Sequence, residues 1–241
     1  MIKKFFALSL SCLLPIGSPL LANAESSASE KIKVACVGDS ITFGAGIADR
    51  ENASYPAQLQ KLLGDDFEVR NFGHGGRTLL NAGDAPYIKS PKFEEALNFA
   101  PDVVVIMLGT NDSMSHNWRH KNNFIAEYQR LITLFRQLPS QPVVWICKPV
   151  PAFLEGASIN GIIAHEIPPR IDFISQESGA PVIDLHTPLL AFPQHFPDKV
   201  HPNAGGAGEI ATIVAGVLSK YRDQAPPTAG LITRRTGSSV E

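Results

Sequence analysis

Cysteine is scarce in this chain, three in 241 residues, which excludes a scaffold held by several disulfides. Cys12 falls in an N-terminal segment that reads as a removable leader. Cys36 and Cys147 each sit inside an apolar run of strand length, where a thiol behaves as a small hydrophobe. Buried free thiols are the expectation, and a single disulfide is the alternative. Charged residues are also few, 18% of the chain, and no basic run is present that would neutralise a phosphate backbone, so nucleic acid is not an expected partner. Internal repeats and interdomain linkers are missing too.

What is present at the start is Lys3-Lys4, the apolar stretch Phe5 to Leu21, and Ala22-Asn23-Ala24. These are the three parts of a secretory signal, residues 1–24, with cleavage before Glu25. A membrane anchor is the rival, but Pro15, Gly17 and Pro19 interrupt the apolar run, so no stable membrane insertion is expected after cleavage. Cys12 has serine rather than leucine three positions upstream, which argues against lipidation. Losing Lys3 and Lys4 with the leader, and no acid, takes the formal charge from −2 to −4. Export to a periplasm or to the extracellular space follows from this reading.

Residues 25–222 carry alternating strand and helix signals and are expected to form one domain. Val103 to Leu108 and Val143 to Cys147 are unbroken apolar runs, as in parallel strands covered on both faces. Ile32 to Val37 and Val182 to Leu185 resemble them. Phe67 to Asn71 alternates apolar with polar and suits a sheet edge. Helices are predicted over Tyr55 to Leu63, Pro91 to Phe99, Phe124 to Leu138, Pro169 to Glu177 and Gly205 to Tyr221. The pattern predicts a three-layer α/β/α fold, with a five-stranded parallel sheet in the order 2-1-3-4-5. Residues 223–241 have little apolar content and read as a flexible tail.

Four segments at strand ends carry chemistry. Gly38-Asp39-Ser40 follows the first strand. It is not the Gly-x-Ser-x-Gly elbow, because Thr42 stands where the second glycine belongs. Asn71-Phe72-Gly73-His74-Gly75-Gly76 follows the second strand, where glycines let backbone N–H groups approach a reacting centre. Gly109-Thr110-Asn111-Asp112 follows the third. The amide of Asn111 can donate to an oxyanion, and Asp112 is expected to cap a helix. Asp198-Lys199-Val200-His201 precedes the last helix, at a spacing that lets a carboxylate turn back on Nδ1 while Nε2 faces Ser40. Each segment alone has a plain structural reading as a turn or a cap. Their joint order at the ends of neighbouring strands favours catalysis.

On these four segments the chain resembles the SGNH (GDSL-type) hydrolases over about residues 32–220. The resemblance implies that Ser40 is the nucleophile, His201 the general base and Asp198 its orienting partner. The oxyanion hole would then be the Ser40 N–H, the Gly76 N–H and the Asn111 side chain, with Gly73 as the alternative to Gly76. It also implies a secreted serine esterase that needs no metal or cofactor and acts on a small-molecule or glycan ester. Removal of acetyl or other short acyl groups from carbohydrate is the expectation. A lipase, lysophospholipase or thioesterase activity is the near alternative, and an exported carbohydrate-binding protein without turnover the more distant one. Arg77, Tyr87, Trp118, Arg119 and Phe153 are candidates for the substrate pocket wall. His116 and His120 have the i,i+4 spacing of a metal clamp but lack an evident third ligand, so no metal site is expected.

Overall fold

The computed structural model describes residues 30–224. The expected leader, its cleavage point and Cys12 lie outside those residues, as does the tail from 225 onwards. The strands are β1 (Ile32–Gly38), β2 (Phe67–Gly73), β3 (Val103–Met107), β4 (Val143–Lys148) and β5 (Val182–Asp184). The helices are α1 (Ser40–Phe43), α2 (Arg50–Ala53), α3 (Tyr55–Leu63), α4 (Pro91–Asn98) and α5 (Ser115–Trp118), then α6 (Phe124–Arg136), α7 (Ser158–Gly161), α8 (Ile167–Ser178), α9 (His186–Leu189) and α10 (Ala204–Gln224). All strand pairs are parallel and the order is β2-β1-β3-β4-β5, as the sequence predicts.

Successive residues of a strand point to opposite faces, and here each face meets its own core. Val34, Cys36, Val103, Val105 and Met107 pack with Tyr55 and Leu59 of α3 and with Ile210, Ala211 and Val214 of α10. Ala35, Val37, Val104 and Ile106 pack on the other side with Phe93 of α4, Tyr128 and Leu131 of α6, and Ile171 of α8. Both faces of β3 are covered, which is why Val103 to Met107 reads as a continuous apolar run. Burying each such side chain contributes about 1.5–3 kcal/mol. Phe67 to Gly73 lies at the free edge and keeps its wetter residues there.

Cys36 and Cys147 are free and buried. They stand on β1 and β4, separated by β3. Burial pushes the Cys36 thiol up to about 12 and the Cys147 thiol higher, so both remain protonated.

Four predicted helices have bounds shifted by one to three residues: α4 ends at Asn98 and α6 at Arg136, and α8 and α10 shift at both ends. The helix predicted from Pro169 begins at Ile167, because prolines are tolerated in a first turn whose N–H groups have no intrahelical partner. A π-helical segment, Ile162–Glu166, feeds directly into it. The last helix continues to Gln224, beyond the expected end at Tyr221 and past the start of the expected tail.

Order in the sheet reverses between β1 and β3, and ligand crevices form beyond the strand ends at such a point. Gly38, Gly73 and the turn after Met107 lie side by side at that end.

Candidate active site

Ser40 opens α1 directly after β1. Asp39 caps that helix, its Oδ1 accepting the Ile41 N–H at 2.9 Å, which fixes the direction of the serine. The end of β2 presses against the same helix: a Cβ on Gly73 would lie 2.2 Å from the Phe43 nitrogen. Only glycine permits that approach. The Gly73 N–H is taken by Asn71 Oδ1 at 2.8 Å. Gly73 is thus a packing residue with its donor occupied, which removes it as the alternative oxyanion donor.

His201 arrives from the loop before α10. The Ser40 hydroxyl and His201 Nε2 are 2.9 Å apart, and His201 Nδ1 and Asp198 Oδ2 are 2.6 Å apart. With the Nδ1 proton directed to the carboxylate, Nε2 is left as the acceptor for the Ser40 O–H. Asp198 Oδ1 also accepts the N–H groups of Val200, at 3.0 Å, and His201, at 2.6 Å. One carboxylate therefore folds the turn and orients the ring. Partial burial pushes the Asp198 carboxyl up, but the hydrogen bonds from His201 and Val200 outweigh this and hold it below the usual carboxylate range. Lys199, between the two, has a left-handed backbone with φ of 71°. The Phe153 N–H donates to its carbonyl at 2.8 Å, and the Phe153 ring packs on Phe196 with centroids 5.1 Å apart.

The turn after β3 brings in Asn111. Its Nδ2 donates to the Arg77 carbonyl at 3.0 Å. An amide nitrogen has two hydrogens, so a second N–H remains. Gly76, one residue before Arg77, is exposed and has a φ of 74°. Neither the Ser40 nor the Gly76 N–H is taken by another protein group among the described residues.

Asp112 does not cap a helix as expected. It is fully buried, and its two oxygens accept the N–H groups of Leu79 and Leu80 at 2.9 and 2.8 Å. It ties the Asn111 turn to the connection that carries Gly76. Burial pushes its carboxyl up to about 6, against the hydrogen bonds from Leu80 and Leu79. Asp39 is buried as well and is pushed up to about 7.

The pocket-wall candidates divide. Trp118 is 5% exposed, packs edge-on to Phe124 in the core and donates its indole N–H to Glu166. Tyr87 is fully buried, with its hydroxyl on the Phe72 carbonyl. Both are corrected from pocket wall to core. Position near Asn111 in the chain says nothing of which way a single helical turn points, and α5 directs Trp118 inward. Arg119 is exposed, with its Nε donating to His120. Arg77 is half-buried and donates from Nη2 to His74 Nε2 at 2.9 Å. Phe153, half-buried, supports the Asp198–His201 turn. His116 faces Asp84 at 2.6 Å. Asn117, buried between these groups, was given away by no sequence pattern.

The fold and this arrangement define a doubly wound α/β/α protein with a serine–imidazole–carboxylate array at its strand-order reversal. The chain belongs to the GDSL-like Lipase/Acylhydrolase family, whose profile matches residues 36–208. It is 39% identical over 208 residues to an acetylxylan esterase of Xylanibacter ruminicola, covering 78% of this chain and 43% of that protein. A multidomain esterase of Ruminococcus flavefaciens is 25% identical over 246 residues, covering 85% of this chain and 31% of that protein. The chain thus spans less than half the length of these curated relatives. A crystal structure of an acetyl xylan esterase, AlAXEase, shares the fold, with a TM-score of 0.63 and 24% identity, covering 78% of this chain and all of that one.

Proposed function

We propose that the chain is a serine esterase that removes acetyl or other short acyl groups from carbohydrate through an acyl-enzyme. The observation that carries this reading is the continuous hydrogen-bonded line from Ser40 through His201 to Asp198. In it Ser40 attacks the ester carbonyl while His201 Nε2 takes the hydroxyl proton, then delivers it to the sugar oxygen as the ester C–O bond breaks. Water, deprotonated by the same nitrogen, attacks the acyl carbonyl, and the proton passes on to the Ser40 hydroxyl oxygen as the acyl–serine bond breaks and the carboxylic acid leaves. Asp198, held as a carboxylate, stabilises the imidazolium that forms. The Ser40 N–H, the Gly76 N–H and the second N–H of Asn111 are the donors to the carbonyl oxygen as it becomes negative.

The substrate class rests on the 39% relative and on the structural relative, both described as acetylxylan esterases. Export rests on the N-terminal segment described above. Among the described residues no helix is long and apolar enough to cross a membrane.

The test is acetate release from acetylated xylan and xylo-oligosaccharides, with phospholipid and acyl-thioester controls and Ser40→Ala alongside. Release from the glycans that Ser40→Ala lacks is expected. Preference for the lipid or the thioester would reassign the substrate, and unchanged release by Ser40→Ala would overturn the mechanism.

A further inference from the structure

Between β2 and α4 the chain runs for a long stretch in which four N–H groups are met by side chains from beyond β3. Asp112 takes those of Leu79 and Leu80, Glu127 Oε2 takes that of Asn81 at 2.7 Å, and Asn117 Oδ1 takes that of Asp84 at 3.0 Å. Asn117 differs from the two acids because its other end also works. Its Nδ2 donates to the main-chain carbonyl of Asn111 at 3.0 Å. Asn111 in turn donates from its side chain to the Arg77 carbonyl. The circuit Arg77–Asn111–Asn117–Asp84 thus joins the turn after β3 to two points of the glycine-bearing connection, seven residues apart.

We propose that Asn117 is a positioning residue that sets the direction in which Asn111 presents its free N–H to the reacting carbonyl. This rests on the oxyanion role given to Asn111 above. Asn117 is 2% exposed, and it bonds to Asp84, Asn111, Met114 and His120 but to neither Ser40 nor His201, so any effect on turnover must pass through the groups it holds. The terminal torsion of an asparagine has a broad, shallow profile. A single bond to the Arg77 carbonyl therefore leaves the Asn111 amide direction dependent on where its main chain sits, and Asn117 supplies that second anchor. Stabilisation of an oxyanion needs donors about 2.7–3.1 Å from the oxygen. Displacement by a fraction of an ångström weakens it without changing how the ground-state ester binds.

The experiment is a double-mutant cycle on p-nitrophenyl acetate, with kcat and KM measured for the parent, Asn117→Ala, Asn111→Ala and the double variant. Asn117→Ala is expected to lower kcat about tenfold with KM held within about twofold. The double variant should fall no more than about twofold below Asn111→Ala, since the positioning residue has nothing left to position. Asn117→Leu repeats the cycle with a side chain of similar volume should the alanine variant fail to fold. A purely structural role predicts independent losses that multiply. Multiplying losses, a loss carried by KM, or an unchanged kcat would each overturn the inference. If Asn111→Ala alone turns over normally, the oxyanion reading itself is wrong, a result distinct from an Asn111 effect that simply adds to that of Asn117.

Discussion

Asp198 serves two functions with two oxygens, and variants separate them. Asp198→Asn keeps an oxygen for the N–H groups of Val200 and His201 but turns an N–H₂ toward His201 Nδ1, so the ring favours the wrong tautomer. A loss in kcat of up to about 10⁴-fold is expected with little change in melting temperature. Asp198→Ala also removes the turn and is expected to melt earlier. Because hydrogen bonds hold Asp198 below the usual carboxylate range, the carboxylate stays charged over the working range. Asn111→Ala should lower kcat by about 10²- to 10³-fold with a small change in KM. Steady-state kinetics on p-nitrophenyl acetate checks each value, and near-normal turnover of Asn111→Ala would remove it from the oxyanion hole.

At the scale of elements, the strand ends are locked together by contacts no single segment announces. Asp112→Ala leaves the buried N–H groups of Leu79 and Leu80 without acceptors. At about 1–3 kcal/mol for each unsatisfied group, a destabilisation of roughly 2–6 kcal/mol is expected in urea titration. A midpoint like that of the parent would contradict the cross-link. The strands and main helices were legible in the sequence because burial on two faces writes apolar runs, and because Gly64 and Pro91 punctuate α3 and α4. Ser40 and Asn111 stand out in the sequence because they follow predicted strands, and Asp198 and His201 because of their three-residue spacing before the last helix; the hydrogen bonds from Ser40 to His201 and from His201 to Asp198 agree with that expected geometry. Asp112 and Trp118 were misread for one reason: their partners, Leu79, Leu80 and Glu166, are more than thirty residues away in sequence. Local pattern cannot report a bond of that span.

The whole molecule carries a conflict between stability and pH. Burial holds the Asp39 carboxyl at about 7, against an ordinary value of 3.8, and Asp112 at about 6. The folded state therefore binds these protons more tightly than the unfolded chain. Their contribution to stability is complete below about pH 4 and is lost as the pH rises through 6 and 7. The carboxyls of Asp198, Asp184 and Glu166 are held low, so the stability they add is lost as the pH falls below the ordinary carboxylate range. The melting temperature is thus expected to be highest in mild acid, near about pH 5, and to fall by several degrees by about pH 8. Asp39→Asn keeps the oxygen that caps α1 and should flatten that fall. A melting temperature that climbs from pH 5 to pH 8 would contradict the assignment.

Trapping the covalent species tests the central claim most directly. Enzyme mixed with p-nitrophenyl acetate and quenched in acid within the first turnover should carry one acetyl group, mapped by peptide mass spectrometry to Ser40, and Ser40→Ala should carry none. Steady turnover with no acetylated Ser40, or an acetyl group fixed on another residue that Ser40→Ala retains, would contradict it.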